Sequence, residues 1–328
     1  MPDLLHKLIR SARLLAGVFF LGGLLSGCAL VFPQTEELRV AWPDGLPAQA
    51  ELPNVPFFPQ QDYQCGPAAL ATSLGSFKVA VTPEELVDKV YLPARQGSLQ
   101  IEMLAGARGY GMVSYQLKPR FEAMLREVAA GTPVIVLQDY GVWPLRIWHY
   151  AVVAGYDRSK GEVVLRSGEK EHLVIPFAVF EYTWKESDYW AMVTVPPERV
   201  PVTAVEADYL AAIIAMERVA KPAAVRTAYA AFLGRWPDNL TAQIGLANTH
   251  YALGEVGQAE QVLRRASIQN PGSVTALNNL AQTLLDLGRA DEALGVVDQA
   301  AASAGAGPYA AAVRETRLAI LKHLGKSE

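Results

Sequence analysis

Cysteine is almost missing from this chain: 328 residues contain only Cys28 and Cys65. No C-x-x-C pair exists, so neither a zinc knuckle nor a redox dithiol is encoded. The five histidines (His6, His149, His172, His250, His323) stand at no metal-ligand spacing. No glycine-rich phosphate loop occurs. No cofactor and no metal are therefore expected. An excess of positive charge is absent too: 29 Lys and Arg face 33 Asp and Glu, a net charge of −4. That balance argues against nucleic acid as a partner. There is one long apolar run, near the N-terminus.

Lys7, Arg10 and Arg13 precede that run, L-L-A-G-V-F-F-L-G-G-L-L, in the manner of a secretory signal. It is short and glycine-rich for a membrane span. It ends in L-S-G-C, residues 25–28, which resembles the lipobox of bacterial lipoproteins. The resemblance implies cleavage before Cys28, a lipid on its sulfur, and a membrane as partner. Ala29, in place of aspartate, implies the outer membrane, facing the periplasm, in a Gram-negative source. An ordinary signal peptide, or an uncleaved anchor with an incidental cysteine, is the bland alternative. Residues 1–27 carry three cations and one anion, leaving about −6 on the remainder. With Cys28 lipidated, Cys65 has no disulfide partner. A lone thiol in an exported chain is buried or functional.

Residues 28–54 contain several prolines and show no clear period, and read as a tether. A first domain is expected over 55–197. A helix is predicted from Cys65 to about Lys78, because Gly66-Pro67 is followed by A-A-L-A-T-S-L. Thr82 and Glu85 form a capping box for a second helix. A third starts near S-L-Q-I-E-M-L at 98–104, a strand follows at 112–117, and a fourth helix covers 119–130. The period then changes to β-rich runs: T-P-V-I-V-L, H-Y-A-V-V-A-G-Y, E-V-V-L, H-L-V-I and W-A-M-V-T-V. Helices first and sheet second is an α+β pattern. Residues 198–204, within P-P-E-R-V-P-V-T-A, read as a linker. From 205 to 328 the chain is alanine-rich with a 34-residue period: Pro237 recurs as Pro271, Ala247 as Ala281, Gly254 as Gly288, Ala259 as Ala293, Ala266 as Ala300. This is similar to tetratricopeptide repeats, all-α, with 205–236 a ragged first repeat and 309–325 a capping helix. Such arrays bind peptides or proteins in a groove, so a protein partner is expected there.

Cys65 at a helix start and His149 at a strand head carry the chemistry. A helix N-terminus and a nearby imidazole both lower a thiol's pKa, and the thiolate attacks carbonyls. The bland readings are a buried small hydrophobe for Cys65 and a satisfied strand histidine for His149. Around these two residues, Q-x4-C-G-P-A-A-L and H-Y-A-V-V-A-G-Y resemble the bacteriocin-processing, double-glycine cysteine peptidases, which are papain-like. The match covers about 55–195. The resemblance implies an α+β papain-like fold with Cys65 as nucleophile, His149 as base, and a glutamine amide aimed at the oxyanion. The family's glutamine stands six before the cysteine. Here Pro59 holds that place, so Gln60 or Gln61 must serve, and Gln60 is preferred. His172 competes for the base, but H-L-V-I lacks the glycine-ended strand. The family's aspartate is missing: E-V-V-L-R-S-G puts Arg166 or Ser167 in its place, and Asp157 reads as a turn residue. Ser167 can orient an imidazole without much stabilising its charge.

The expectation is a lipid-anchored envelope cysteine peptidase, with acyl transfer as a variant, whose repeats recruit a peptide or protein substrate. The alternatives are a weak or inactive peptidase fold that grips a peptide, and an assembly scaffold.

Overall fold

The computed structural model describes residues 32–59, 64–142, 144–305 and 307–326. Cys28 and Gln60 lie outside these residues, as does Gln61. Two compact units divide the chain: 1–103 with 116–193, and 104–115 with 194–328.

The first unit is built on an antiparallel sheet. Strands β3 (Val134–Asp139), β4 (Trp148–Asp157), β5 (Glu162–Ser167), β6 (Lys170–Pro176) and β7 (Ala191–Val195) run in the order β7-β3-β4-β5-β6. β3 is buried along its whole length, which is why T-P-V-I-V-L shows no polar alternation. β4 is the central and longest strand, with β3 paired to its first half, Gln138 opposite His149. Beyond that register β1 (Gln49–Glu51) pairs with residues 155–157. α2 (Cys65–Gly75) packs on β4. Its residues 66–74 are all buried, Thr72 and Ser73 included, so it is enclosed on every side rather than amphipathic. α3 (Pro83–Val90) starts at the expected capping box: Thr82 Oγ1 accepts from the Glu85 N–H, and Glu85 accepts from the Thr82 N–H. α4 covers Gln100–Arg108, β2 Val113–Gln116 and α5 Phe121–Ala129.

Two elements depart from expectation. Residues 33–54 are no loose tether. Pro33–Val40 form a helix, α1, and 49–51 are strand β1. α1 has no local side-chain cap; the buried Glu181 carboxylate accepts from the Gln34 and Thr35 N–H groups at 3.0 and 2.6 Å. The Gln34 side chain in turn accepts from the Phe121 N–H. These partners lie 147, 146 and 87 residues away, so no local period announces the helix. The second departure is α6 (Phe177–Trp184), F-A-V-F-E-Y-T-W. Its aromatic and β-branched residues favour strand by propensity, and it lies in the half of the domain expected to be sheet, with no helix expected there. Phe177, Phe180 and Trp184 instead form one buried helical face against Phe121.

Besides 104–115, which carries the end of α4 and most of β2, the second unit is helical from 206 on: α7 (Glu206–Met216), α8 (Pro222–Arg235), α9 (Leu240–Ala252), α10 (Val256–Gln269), α11 (Val274–Asp286), α12 (Ala290–Ala304) and α13 (Ala310–His323). The repeat period shows directly. Asn239 and Ser273 cap α9 and α11 through their side chains. Gly254 and Gly288 take φ of 75° and 76° in the turns after those helices. Ala247, Ala281, Ala293 and Ala300 sit in one buried cluster with Leu263, Leu277 and Val297. α13 closes the stack with Val313 and Ile320.

Candidate active site

Cys65 is the first residue of α2, and Gln64 is its cap position. The N–H groups of a first helical turn have no intrahelical partner. Those of Cys65 and Gly66 turn to the Cys65 sulfur, as does the Tyr150 N–H of β4. The nucleophile candidate thus lies against the residue next to His149. Gly66 is required here: a Cβ on it would come within 2.1 Å of Ser98 Oγ. The same Ser98 accepts a hydrogen bond from Tyr150 O–H on its carbonyl, tying the loop before α4 to β4.

His149 Nε2 meets Ser167 Oγ at 2.9 Å. Ser167 ends β5, and the β5–β6 register slips between Leu165 and Ser167. Such a slip re-aims a side chain. Arg166, the other candidate for that place, points away and its Nε reaches the Val55 carbonyl at 3.5 Å. His149 and Ser167 are therefore in contact, Cys65 lies against the backbone of the neighbouring Tyr150, and no carboxylate meets the imidazole among the described residues. Asp157 is a turn residue: its Oδ1 accepts from the Ser159 N–H and O–H and the Lys160 N–H. His172, on β6, is exposed and meets Glu51 at 3.1 Å.

Sequence reasoning missed Tyr140, Gln138 and Asp139. Tyr140 stacks on His149 with ring centroids 5.0 Å apart and planes at 25°. Its O–H donates to Gln138 Oε1 at 3.1 Å. The buried Asp139 ends β3 and accepts from the Gly141 and Ile147 N–H groups, both at 2.8 Å, and from Arg146 at 2.6 Å. Arg146 and those N–H groups hold its carboxyl below the ordinary range despite desolvation. That bonding locks the β3–β4 loop, which presents Val142, Leu145, Ile147 and Trp148 to solvent beside His149. The D-Y-G sequence is the only local signal for it, and it reads as an ordinary turn.

The electrostatics reverse one expectation. Burial pushes the Cys65 thiol up, outweighing the three N–H groups that pull it down. Burial also pushes His149 down to about 4. Tyr140 and Tyr150 rise as well, through desolvation first and then the nearby Cys65 sulfur. Burial thus favours the uncharged form of both groups, a thiol at Cys65 and a neutral imidazole at His149. No cluster of His, Cys, Asp and Glu fit for a metal occurs among the described residues.

Residues 52–192 match the family model described as Peptidase C39 like family, and 217–274 and 244–311 match the tetratricopeptide repeat model. The chain carries a C39-like peptidase domain followed by tetratricopeptide repeats. The C39-like domain is similar to a solved Bacillus anthracis protein described as a C39-like peptidase, at 18% identity, over 45% of this chain and 97% of that one, TM-score 0.38. It is also similar to the peptidase domain of Streptococcus ComA, a bi-functional ABC transporter, at 19% identity over 43% and 98%, TM-score 0.37. The repeats are similar to the TPR2B domain of yeast Sti1, solved as a complex with pHsp70, at 17% identity over 31% and 84%, TM-score 0.30. A search of curated proteins gives no match.

Proposed function

We propose that this chain is a cysteine peptidase of the cell envelope that cuts a peptide or protein substrate. The observation that carries the reading is Cys65 at the start of α2, against β4, the strand that offers His149, whose imidazole meets Ser167 of β5. His149 takes the thiol proton as the sulfur attacks the scissile carbonyl carbon. The Cys65 N–H stabilises the resulting oxyanion, and Gln60 is proposed as a second donor. Such a donor is worth roughly 3 kcal/mol. The C–N bond then breaks, the leaving amine takes the proton back from His149, and water hydrolyses the thioester. An amine in place of water would give acyl transfer. The exposed apolar loop beside His149 suits a polypeptide substrate. The repeats would recruit it, as repeat stacks do.

Cys65→Ala should remove hydrolysis, a loss of roughly 10⁴-fold or more, with the thermal melt nearly unchanged. Full turnover by that variant would remove the assignment. Lipid attachment at Cys28, facing the periplasm from the outer membrane, belongs to the same proposal. No helix among the described residues is long and apolar enough to cross a membrane. Fatty-acid labelling of Cys28→Ser against the parent tests it; equal label on both would exclude the anchor.

A second reading, a peptide-binding module with weak or no activity, is favoured by the uncharged thiol and imidazole and by serine where a carboxylate is expected. Iodoacetamide alkylation of Cys65 against pH and a hydrolysis assay together separate the two.

A further inference from the structure

Residues 29–31 alone separate Cys28 from Phe32, the first described residue. From Phe32 on, the chain is already part of the first unit. The Phe32 ring meets Tyr182 of α6 edge-on, with centroids 6.3 Å apart, and the Gln34 and Thr35 N–H groups bond Glu181, the residue before Tyr182. Four residue steps reach at most about 14 Å. A lipid on the Cys28 sulfur would therefore hold the Phe32–Tyr182 edge of this unit within that distance of the headgroups, with no slack to stand off.

The side chains exposed at that edge have the chemistry of a lipid interface. Val179 and Tyr182 of α6 are half-exposed, and the Lys185 ammonium lies 5.0 Å over the Tyr182 ring. The next residue, Glu186, pairs with Arg146 and so joins the β3–β4 loop to this edge. Arg146 lies 6.0 Å over the Trp148 ring. At the loop tip the bridged Val142 and Leu145 are 79% and 76% exposed. Rings and aliphatic side chains of this kind enter the acyl boundary, while ammonium and guanidinium groups stay with the headgroups. The nearby carboxylates do not oppose this, because Asp139 and Glu186 are both paired with Arg146. Asp139 also accepts from the Gly141 and Ile147 N–H groups, so the loop is pre-formed and docking has little left to order.

We propose that the tip of the β3–β4 loop and the exposed side of α6 form a membrane-docking surface, whose occupant is the acyl boundary of the bilayer that holds Cys28. The proposal rests on the lipid-anchor part of the reading above and deepens it. His149 follows Trp148 directly, so the site lies at the lipid surface. Its substrate is then a polypeptide lying on or leaving that surface, and Ile147, at the His149 end of the loop, stays available to it.

The test uses the full chain purified from membranes, on vesicles of phosphatidylethanolamine and phosphatidylglycerol with and without brominated acyl chains. Bromine quenches tryptophans that touch it. No tryptophan precedes Trp42, so the N-terminal apolar run gives no signal. The bound parent should be quenched. Val142→Asp with Leu145→Asp alters two exposed positions and should cut the quenching about 2-fold or more, with fatty-acid label unchanged. Val174→Asp, at an exposed position of β6, should be quenched like the parent. The same comparison in a Cys28→Ser background at saturating lipid separates surface from anchor: binding weakens, but the difference between the chains persists. A parent without fatty-acid label would end the anchor reading, and this second comparison would still decide the surface. Equal quenching of parent and double variant, or an unquenched bound parent, would overturn the proposal. If the double variant also lost hydrolysis of a soluble peptide, the loop would belong to the substrate instead.

Discussion

The two units are coded at different ranges. In the repeats, polar partners stand about one repeat apart: Asn279 and Asn248 are separated by 31 residues, Arg226 and Glu255 by 29, Arg264 and Glu292 by 28. Each helix pair repeats what the previous pair did, so the periodic residues and the packed residues are the same ones. In the C39-like unit the deciding contacts reach much further. Glu181 caps a helix 147 residues earlier, and Arg166 reaches back 111 residues to Val55. A stack propagates its errors to neighbours; a sheet domain with such closures should lose them in one step.

The largest effect expected from that difference is at Glu181. Glu181→Ala leaves the Gln34 and Thr35 N–H groups without their acceptor and should destabilise the C39-like unit by about 3 kcal/mol. Circular dichroism at 222 nm should retain the later, repeat-unit melt. A single melt that shifts as a whole would mean the units unfold together.

Gly66→Ala comes next. The new Cβ must displace Ser98, and overpacking of this kind costs about 2 kcal/mol. Because the strain falls beside Cys65, hydrolysis should fall further than stability does. A drop in melting temperature with hydrolysis intact would place the Ser98 contact outside the site.

The pH dependence of the same unit is somewhat weaker. His149 titrates at about 4 when folded and near 6.5 when unfolded, so the unfolded chain binds the extra proton between those values. Stability is full above about pH 6.5 and falls as pH drops toward 4, by about 1–2 kcal/mol at pH 5. Urea titrations of the parent and His149→Gln across that window should converge at low pH. Parallel curves would mean the imidazole is not buried in its neutral form. The raised thiol adds a second mark: iodoacetamide should react with Cys65 only as pH rises past the ordinary thiol range, with no plateau in mild acid.

The smallest effects belong to the repeats and should match each other. Gly254→Ala and Gly288→Ala each force a Cβ into the left-handed region, at about 1 kcal/mol apiece. Equal shifts in the helical melt support equivalent repeats. A shift at one site only would show that the two turns carry unlike loads.

Legibility in the sequence followed contact range. The 34-residue matches, the Thr82–Glu85 box and the start of α2 at Cys65 were readable, since each depends on neighbours within a turn or a repeat. Helices α1 and α6 were not. α1 takes its cap from Glu181, and α6 is a strand-like string made helical by packing on Phe121. The site divided the same way. Cys65, His149 and Ser167 were nameable from motif and strand order. Tyr140 stood in a D-Y-G turn with nothing to mark it, because its stacking on His149 exists only once β3 and β4 pair.

The sequence by itself determined where a helix begins on a cysteine, where a strand begins on a histidine, and that a helical stack follows. Local propensity, capping and repeated small residues act before any long-range contact forms. Only the tertiary structure decided the uncharged state of Cys65 and His149 and the partner of the imidazole, Ser167. Desolvation and the meeting of β4 with β5 depend on what is packed around a group, which no local spacing records.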